Sequence, residues 1–171
     1  KAEKTGKTFG TLTAEKQSNN ISWGAIYAEY DQKLKDIDSQ ATQLAVTRQL
    51  INADGKRAKI NQDFKVGDKI KVRITLKADR DYDFVEVEDK RPACLEPVDQ
   101  TSGYNFRYYY APGDRATRYY FDRLPKGTHI IETEYYIDRE GSYSSGICTA
   151  RCTYSPEFAG RDKAIQLNNE K

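Results

Sequence analysis

Few side chains in this sequence are equipped for chemistry, and their spacing decides what they can do. Among 171 residues there is one histidine, His129, and there are three cysteines, Cys94, Cys148 and Cys152. A structural zinc site takes four nitrogen or sulfur ligands, with cysteines commonly spaced Cys-x2-Cys. His129 has no second histidine, Cys148-x3-Cys152 departs from that spacing, and adding Cys94 makes three thiols at most. No metal and no cofactor is therefore expected. On an extended strand Cys148 and Cys152 share a face but lie about 13 Å apart, beyond disulfide reach. At most one bridge is expected, from Cys94 to either of the other two, which leaves a free thiol.

Three carboxylates, Glu86, Glu88 and Asp89, would suit acid–base work, but they follow a basic alternation of Lys69, Lys71, Arg73 and Lys77. If the two segments pair as a hairpin, these charges form cross-strand ion pairs worth about 0.2–1 kcal/mol each. If the bend between them carries the chain to another sheet, they are two independent wet faces. The run Gly141-Ser-Tyr-Ser-Ser-Gly146 resembles a phosphate loop in composition only, because no Lys-Ser/Thr follows it. A nucleophile elbow of the form Gly-x-Ser-x-Gly is also missing. The expectation is that this chain is not an enzyme.

The unusual composition lies in the tyrosines. Residues 104–110 read Tyr-Asn-Phe-Arg-Tyr-Tyr-Tyr, and Tyr119-Tyr120 follow, with Arg107, Arg115 and Arg118 among them. Tyr and Arg are favoured at protein interfaces, and tyrosine rings also stack sugars or bases or simply fill a core. The candidate interface residues are Tyr104, Arg107, Tyr108, Tyr109, Tyr110 and Tyr119; core, protein interface and ligand platform all remain open.

The elements that must position these groups are strands. Residues 66–98 organise the chain: a Val66-Gly67-Asp68 turn leads into Ile70, Val72, Ile74 and Leu76, which alternate with Lys69, Lys71, Arg73, Thr75 and Lys77. A period of two means one buried and one wet face. A charged bend at 78–82 follows, then Phe84-Val-Glu-Val-Glu88 and the segment Asp89-Lys-Arg-Pro-Ala-Cys-Leu-Glu-Pro97. Residues 43–51 alternate loosely, 52–55 form a turn, and 56–65 make a polar connection. Further short strands are expected at 117–121 and 129–138. A tight turn at 139–142 would then return residues 143–154 as the partner of 129–138, before a last strand at 164–167. Residues 21–31 fit helical and strand periodicity equally well. Turn signals every 8–15 residues point to an all-β sandwich or barrel.

Length suits one domain burying roughly 70% of its extended surface. Thirteen Tyr, six Phe and one Trp supply core volume. With 28 basic and 26 acidic residues interspersed for a net charge of +2, the basic footprint of a nucleic-acid binder is missing, and no nucleic-acid partner is expected. No apolar run approaches the ~20 residues of a membrane helix, so no membrane insertion by this fragment is expected. The absence of Met suggests an excised domain or processed fragment.

Four motifs then carry a resemblance. Asp89-Lys-Arg-Pro-Ala-Cys-Leu-Glu96 resembles the Asp-x-x-Pro-Ala-Gly-Phe/Leu-Glu turn of bacterial alpha-2-macroglobulin-like proteins, with Cys94 in place of Gly. Trp23-Gly-Ala-Ile-Tyr27 is similar to the Trp-Gly-Ala-Leu-Tyr segment that follows the helical thioester domain in Bacteroidetes-type members. Tyr120-Phe-Asp-Arg-Leu-Pro-Lys-Gly-Thr128 resembles their Phe-x-Asp-Arg-Leu-Pro-x-Gly-Thr strand and turn. The stretch from Gly141, Ser142 and Tyr143 to Tyr154, Ser155, Pro156 and Glu157 is similar to their closing segment. In order and spacing the four cover residues 21–161 and match the C-terminal macroglobulin-type domain.

The resemblance implies a strand at 21–30 and an all-β fold, a two-sheet antiparallel sandwich like fibronectin type III or macroglobulin domains. Residues 1–18 are expected to be a linker or loose edge segment and residues 19–171 the sandwich domain. It further implies a non-catalytic domain of a protease-trapping inhibitor, in the periplasm or at the cell surface. Its partners would be the other domains of the same parent chain, the helical one above all, and proteases through the parent. The Cys-x-Glu-Gln thioester motif is absent here. The second function to weigh is a carbohydrate-binding or adhesive module that uses the tyrosines.

Overall fold

A computed structural model describes residues 13, 15, 17, 19–21, 23, 24, 31–33, 36–58 and 63–170. The chain divides into two compact units, Lys1–Asp31 and Gln32–Lys171. In the first unit, the described residues are exposed and lie in no strand. The strand expected at 21–30 falls mostly outside the described residues; Ile21, Trp23 and Gly24, which are described, lie in none.

The second unit holds fourteen strands among its described residues, arranged in three sheets. One sheet runs in the order β1 (Gln40–Ala41), β13 (Ala159–Asp162), β12 (Cys148–Cys152), β5 (Tyr82–Asp89), β9 (Thr117–Leu124), β8 (Tyr108–Pro112) and β7 (Gly103–Asn105). A second runs β2 (Leu44–Ile51), β4 (Lys69–Ala78), β10 (Gly127–Ile137) and β6 (Leu95–Pro97). The fold class is the expected all-β one with antiparallel sheets. A small third sheet extends it: β11 (Gly141–Ser144), β14 (Gln166–Glu170) and β3 (Asp63–Lys65), in which β14 and β3 run parallel.

β4 realises the alternation of its sequence. Ile70, Val72, Ile74 and Leu76 are at most 2% exposed, and the intervening charged residues face water. From the other sheet Val85, Val87, Tyr119, Phe121 and Leu124 come to the same core, joined by Leu95, Ile131 and Tyr135. Each fully buried aliphatic side chain of this kind stabilises by about 1.5–3 kcal/mol.

The charged bend between β4 and β5 carries the chain from one sheet to the other, so the two segments are not a hairpin. Asp79 accepts from Arg80 at 3.0 Å and from the Tyr82 hydroxyl at 2.6 Å. Asp81 accepts from Arg123 at 2.6 Å and from the Lys126 amide at 2.8 Å. These bonds hold the bend against the far end of β9.

The expected hairpin between residues 129–138 and 143–154 does not form. β10 pairs along its length with β4 on one edge, and on the other edge β6 takes Tyr135–Ile137, the residues beside the turn where a returning strand would have to begin pairing. Residues 143–154 therefore split. β11 pairs with β14, while β12 crosses to the seven-stranded sheet and pairs with β5 and β13. The last expected strand, 164–167, corresponds to β14, which begins at Gln166, and β13 precedes it as a strand not expected from the sequence.

The two sheets close on each other where β13 meets β2. A Cβ built on Gly160 would stand 2.6 Å from the Leu44 carbonyl oxygen. Only glycine permits that approach of two backbones.

Candidate functional site

The outward face of the seven-stranded sheet is the candidate site, and strand register builds it. β7 and β8 form a hairpin whose turn is capped by Asn105: its side-chain oxygen accepts the Phe106 amide at 2.7 Å, and its amide nitrogen donates to the Tyr108 hydroxyl at 3.2 Å. Tyr104 sits opposite Tyr109, and Tyr109 opposite Tyr120, so three tyrosines line one row across β7, β8 and β9. The rings of Tyr104 and Tyr109 meet edge to face at 5.1 Å. Tyr104 is 76% exposed and Phe106, at the hairpin tip, 94%. The Arg107 guanidinium lies 5.9 Å from the centre of the Phe106 ring.

Period two sends the intervening tyrosines the other way. Tyr119 is fully buried and Tyr110 nearly so, and Tyr108 is half-buried and packs on Tyr119 and Phe121 at 5.5 and 5.4 Å. Their hydroxyls are matched inside the sandwich: Tyr119 with the Thr133 hydroxyl at 2.6 Å, and Tyr110 donating to the Asp99 carbonyl at 2.8 Å. Tyr135 does the same with Thr117 at 2.8 Å. Burial pushes the Tyr110 hydroxyl up to about 12 and raises those of Tyr119 and Tyr135 as well, so none offers a phenolate at neutral pH.

The structure therefore divides the candidate residues from the sequence. Tyr104, Arg107 and Tyr109 belong to the outer surface, whereas Tyr110 and Tyr119 are core and Tyr108 stands at the boundary. Tyr120 and Phe106 complete the outer group. Alternation with the buried Tyr119 is the signal that finds Tyr120, and the hairpin-turn position is the one that finds Phe106.

Next to the tyrosine row the same face carries the carboxylates. Glu86 pairs with Arg151 at 2.7 Å and Glu88 with Arg118 at 2.6 Å, from the strands flanking β5. On the four-stranded sheet Arg73 pairs with Glu132 at 2.6 Å and Lys71 with Glu134 at 3.4 Å. Of the two arrangements open in the sequence, the independent faces are thus the ones formed, each completed by partners from its own sheet. Such exposed pairs contribute about 0–1 kcal/mol each.

The remaining chemical groups have structural places. Cys94, Cys148 and Cys152 are free, buried thiols, each pushed up first of all by burial, so no bridge from Cys94 is present. The ring of His129 donates from Nε2 to the Pro125 carbonyl at 2.7 Å. Gly141 to Ser144 is strand β11, and the Ser145 hydroxyl accepts from Arg48 at 2.7 Å in the interior. Among the described residues no group of three or more His, Cys, Asp or Glu is arranged to hold a metal ion, and no helix is long and apolar enough to cross a membrane.

Below the hairpin a cavity of about 380 Å³ opens between residues 98–105 and β10, lined by Asp99, Thr101, Asn105, Tyr108, Tyr110 and Thr133 among others. Its size is at the lower end of small-molecule sites.

A family model described as the bacterial alpha-2-macroglobulin MG10 domain matches residues 44–157. Among solved structures, Escherichia coli alpha-2-macroglobulin activated by porcine elastase superposes with a TM-score of 0.71 at 15% identity, over 79% of this chain and 14% of that one. Salmonella alpha-2-macroglobulin reacted with methylamine gives 0.67 at 18% identity, over 77% and 10%. Native Escherichia coli alpha-2-macroglobulin spanning domain MG7 to the C-terminus gives 0.65 at 14% identity, over 76% and 24%. At these identities the likeness concerns the fold, and this chain spans a quarter or less of each of those chains. No curated protein matches.

Proposed function

Because the chain belongs to the bacterial alpha-2-macroglobulin MG10 domain family, we propose that it is a non-catalytic docking domain of a larger protease-trapping inhibitor, placed in the periplasm or at the cell surface. It packs against neighbouring domains of its parent, above all the helical one, and helps to hold the parent in its uncleaved state; proteases are met through the parent. The observation that carries this reading is the row Tyr104–Tyr109–Tyr120 with Phe106 and Arg107 at its end. These are large rings held outward on a rigid sheet, in the composition that protein interfaces favour. Presenting them to water has no use in an isolated domain, whereas an adjoining domain would bury them.

Calorimetry of this chain against the helical domain of the same parent tests the proposal. Saturable binding that weakens about tenfold or more with Tyr104→Ala or Tyr109→Ala is expected, in the range of interface hot spots. An absence of heat at high concentration of both would overturn it.

The cavity under the hairpin favours a second reading, a carbohydrate-binding module in which the rings of Tyr108 and Tyr110 wall the site. A specific hit on a glycan array, abolished by Tyr108→Ala or Tyr110→Ala, would displace the docking function.

A further inference from the structure

At the far end of the same face, β5 contains a backbone feature that alternation does not predict. Tyr82 points into the core and is 5% exposed, so strict alternation would send residue 84 inward as well. Instead Phe84 has φ = 55° and is half exposed. The register with β9 is kept on either side, Asp83 opposite Arg123 and Val85 opposite Phe121. The left-handed residue resets the alternation, so that Val85, Val87 and Asp89 face inward while the Phe84 ring goes out to solvent.

A bulky non-glycine residue in this region is strained, and such strain collects at functional positions. The local bonding does not require the ring. The Phe84 carbonyl accepts the Thr153 amide at 2.9 Å, a bond that glycine would make without strain.

What the strain provides is an exposed aromatic corner. Phe84 meets Tyr154, itself 77% exposed, edge to face at 5.2 Å and 87°. Acidic and basic groups both stand near it, and the basic ones Arg80, Arg123 and Arg151 are already ion-paired. Asp122 occupies the β9 position across from Phe84 and is exposed, and Glu157 lies in the same β12–β13 loop as Tyr154, also exposed. Nearby carboxylates are engaged: Asp79 with Arg80, Asp81 with Arg123 and Glu86 with Arg151. Neither the Asp122 nor the Glu157 carboxylate takes part in an ion pair or hydrogen bond among the described residues, and the Asp83 carboxylate has no ion pair. Ring faces carry negative potential, so rings and carboxylates together favour a cation, and the planar guanidinium best of all.

We infer that the Phe84–Tyr154 corner, rimmed by Asp122 and Glu157, receives an arginine or lysine side chain of a partner protein. The inference rests on the docking reading and adds the chemistry of the partner's contact: a basic side chain among apolar neighbours.

The test is a titration of the intact, isotope-labelled chain with acetyl-Gly-Leu-Arg-Leu-Gly-amide, followed by amide chemical shifts. The control is the same peptide with citrulline, which keeps the shape and removes the charge. Saturable shifts confined to residues 82–86, 120–123 and 152–157 are expected, with the citrulline peptide about tenfold weaker. Phe84→Gly should keep or raise the melting temperature, because it relieves the backbone strain, and should lose the shifts. Tyr154→Ala, at an exposed loop position, should lose them too, and Asp122→Asn should weaken them and flatten their salt dependence. Equal binding of the two peptides, shifts located elsewhere, or no shifts at all would each overturn the inference. Because the helical domain is absent from this experiment, its outcome is separate from that of the domain-docking test.

Discussion

The Arg48 guanidinium on β2 is ion-paired to the Asp89 carboxylate on β5, with both side chains 1% exposed. One side chain thereby ties the two sheets together. Arg48 also donates to the Ser145 hydroxyl at 2.7 Å and to the carbonyls of Gly146 and Lys163 at 2.8 and 3.0 Å, which joins the loops before β12 and after β13 to the same point. Asp162 accepts the Arg48 backbone amide at 2.6 Å. The motif turn that begins at Asp89 is thus anchored at its first residue.

Removing one partner leaves the other charged and buried. Arg48→Met and Asp89→Asn should each lower unfolding free energy by about 3–5 kcal/mol, and the double variant by less than the sum of the two. Urea denaturation of the four proteins checks this. Additive losses would mean that the pair is not coupled.

At the sheet junction, Gly160→Ala pushes a methyl group against the Leu44 carbonyl. Backbone cannot move aside as a flexible side chain can, so a loss of about 1–3 kcal/mol is expected, against a small gain had the site been open. Chemical denaturation gives the sign directly.

Two neighbours in sequence should respond in opposite ways to truncation. Tyr119→Ala empties a fully buried site and should cost about 3–5 kcal/mol. Tyr120→Ser, on the outer row, should stay within about 0.5–1 kcal/mol and raise solubility. Thermal melts of the two variants measure the contrast, and equal losses would contradict the inward and outward assignment.

Alkaline pH tests the buried hydroxyls. Tyr82 and Tyr110 are pushed up to about 12, first of all by burial, and Tyr119 and Tyr135 are raised as well. A pKa raised in the folded state means that the neutral form is favoured there. The associated stability is complete below about pH 10, the unfolded tyrosine value, and is lost as pH climbs towards 12. Absorbance at 295 nm should therefore show a late phenolate step coincident with loss of near-ultraviolet dichroism. In Tyr110→Phe that step should be smaller by one tyrosine. Full ionisation before any loss of dichroism would refute the burial.

Local pattern carried much of this protein. The alternation of Ile70, Val72, Ile74 and Leu76 specifies a strand and its inward face, because neighbouring side chains on an extended backbone point to opposite sides whatever they pair with. The turn signals delimited most of the strands, and the motifs around Asp89 and Tyr120 pointed to the family. The tyrosine run showed that something unusual lies between residues 104 and 120. Which rings face water followed only when the register set Tyr104, Tyr109 and Tyr120 in one row and turned Tyr110 and Tyr119 inward. Pairing is non-local: residues 143–154 follow a turn after β10, yet at that end β10 is already flanked by β4 and β6, strands distant in sequence. The salt-bridge partners of Glu86 and Glu88, the approach at Gly160 and the reversed side chain of Phe84 belong to the same class. Each depends on what a neighbouring strand presents across a hydrogen-bonded edge or a sheet junction, and hydrophobic period along one segment holds no record of it.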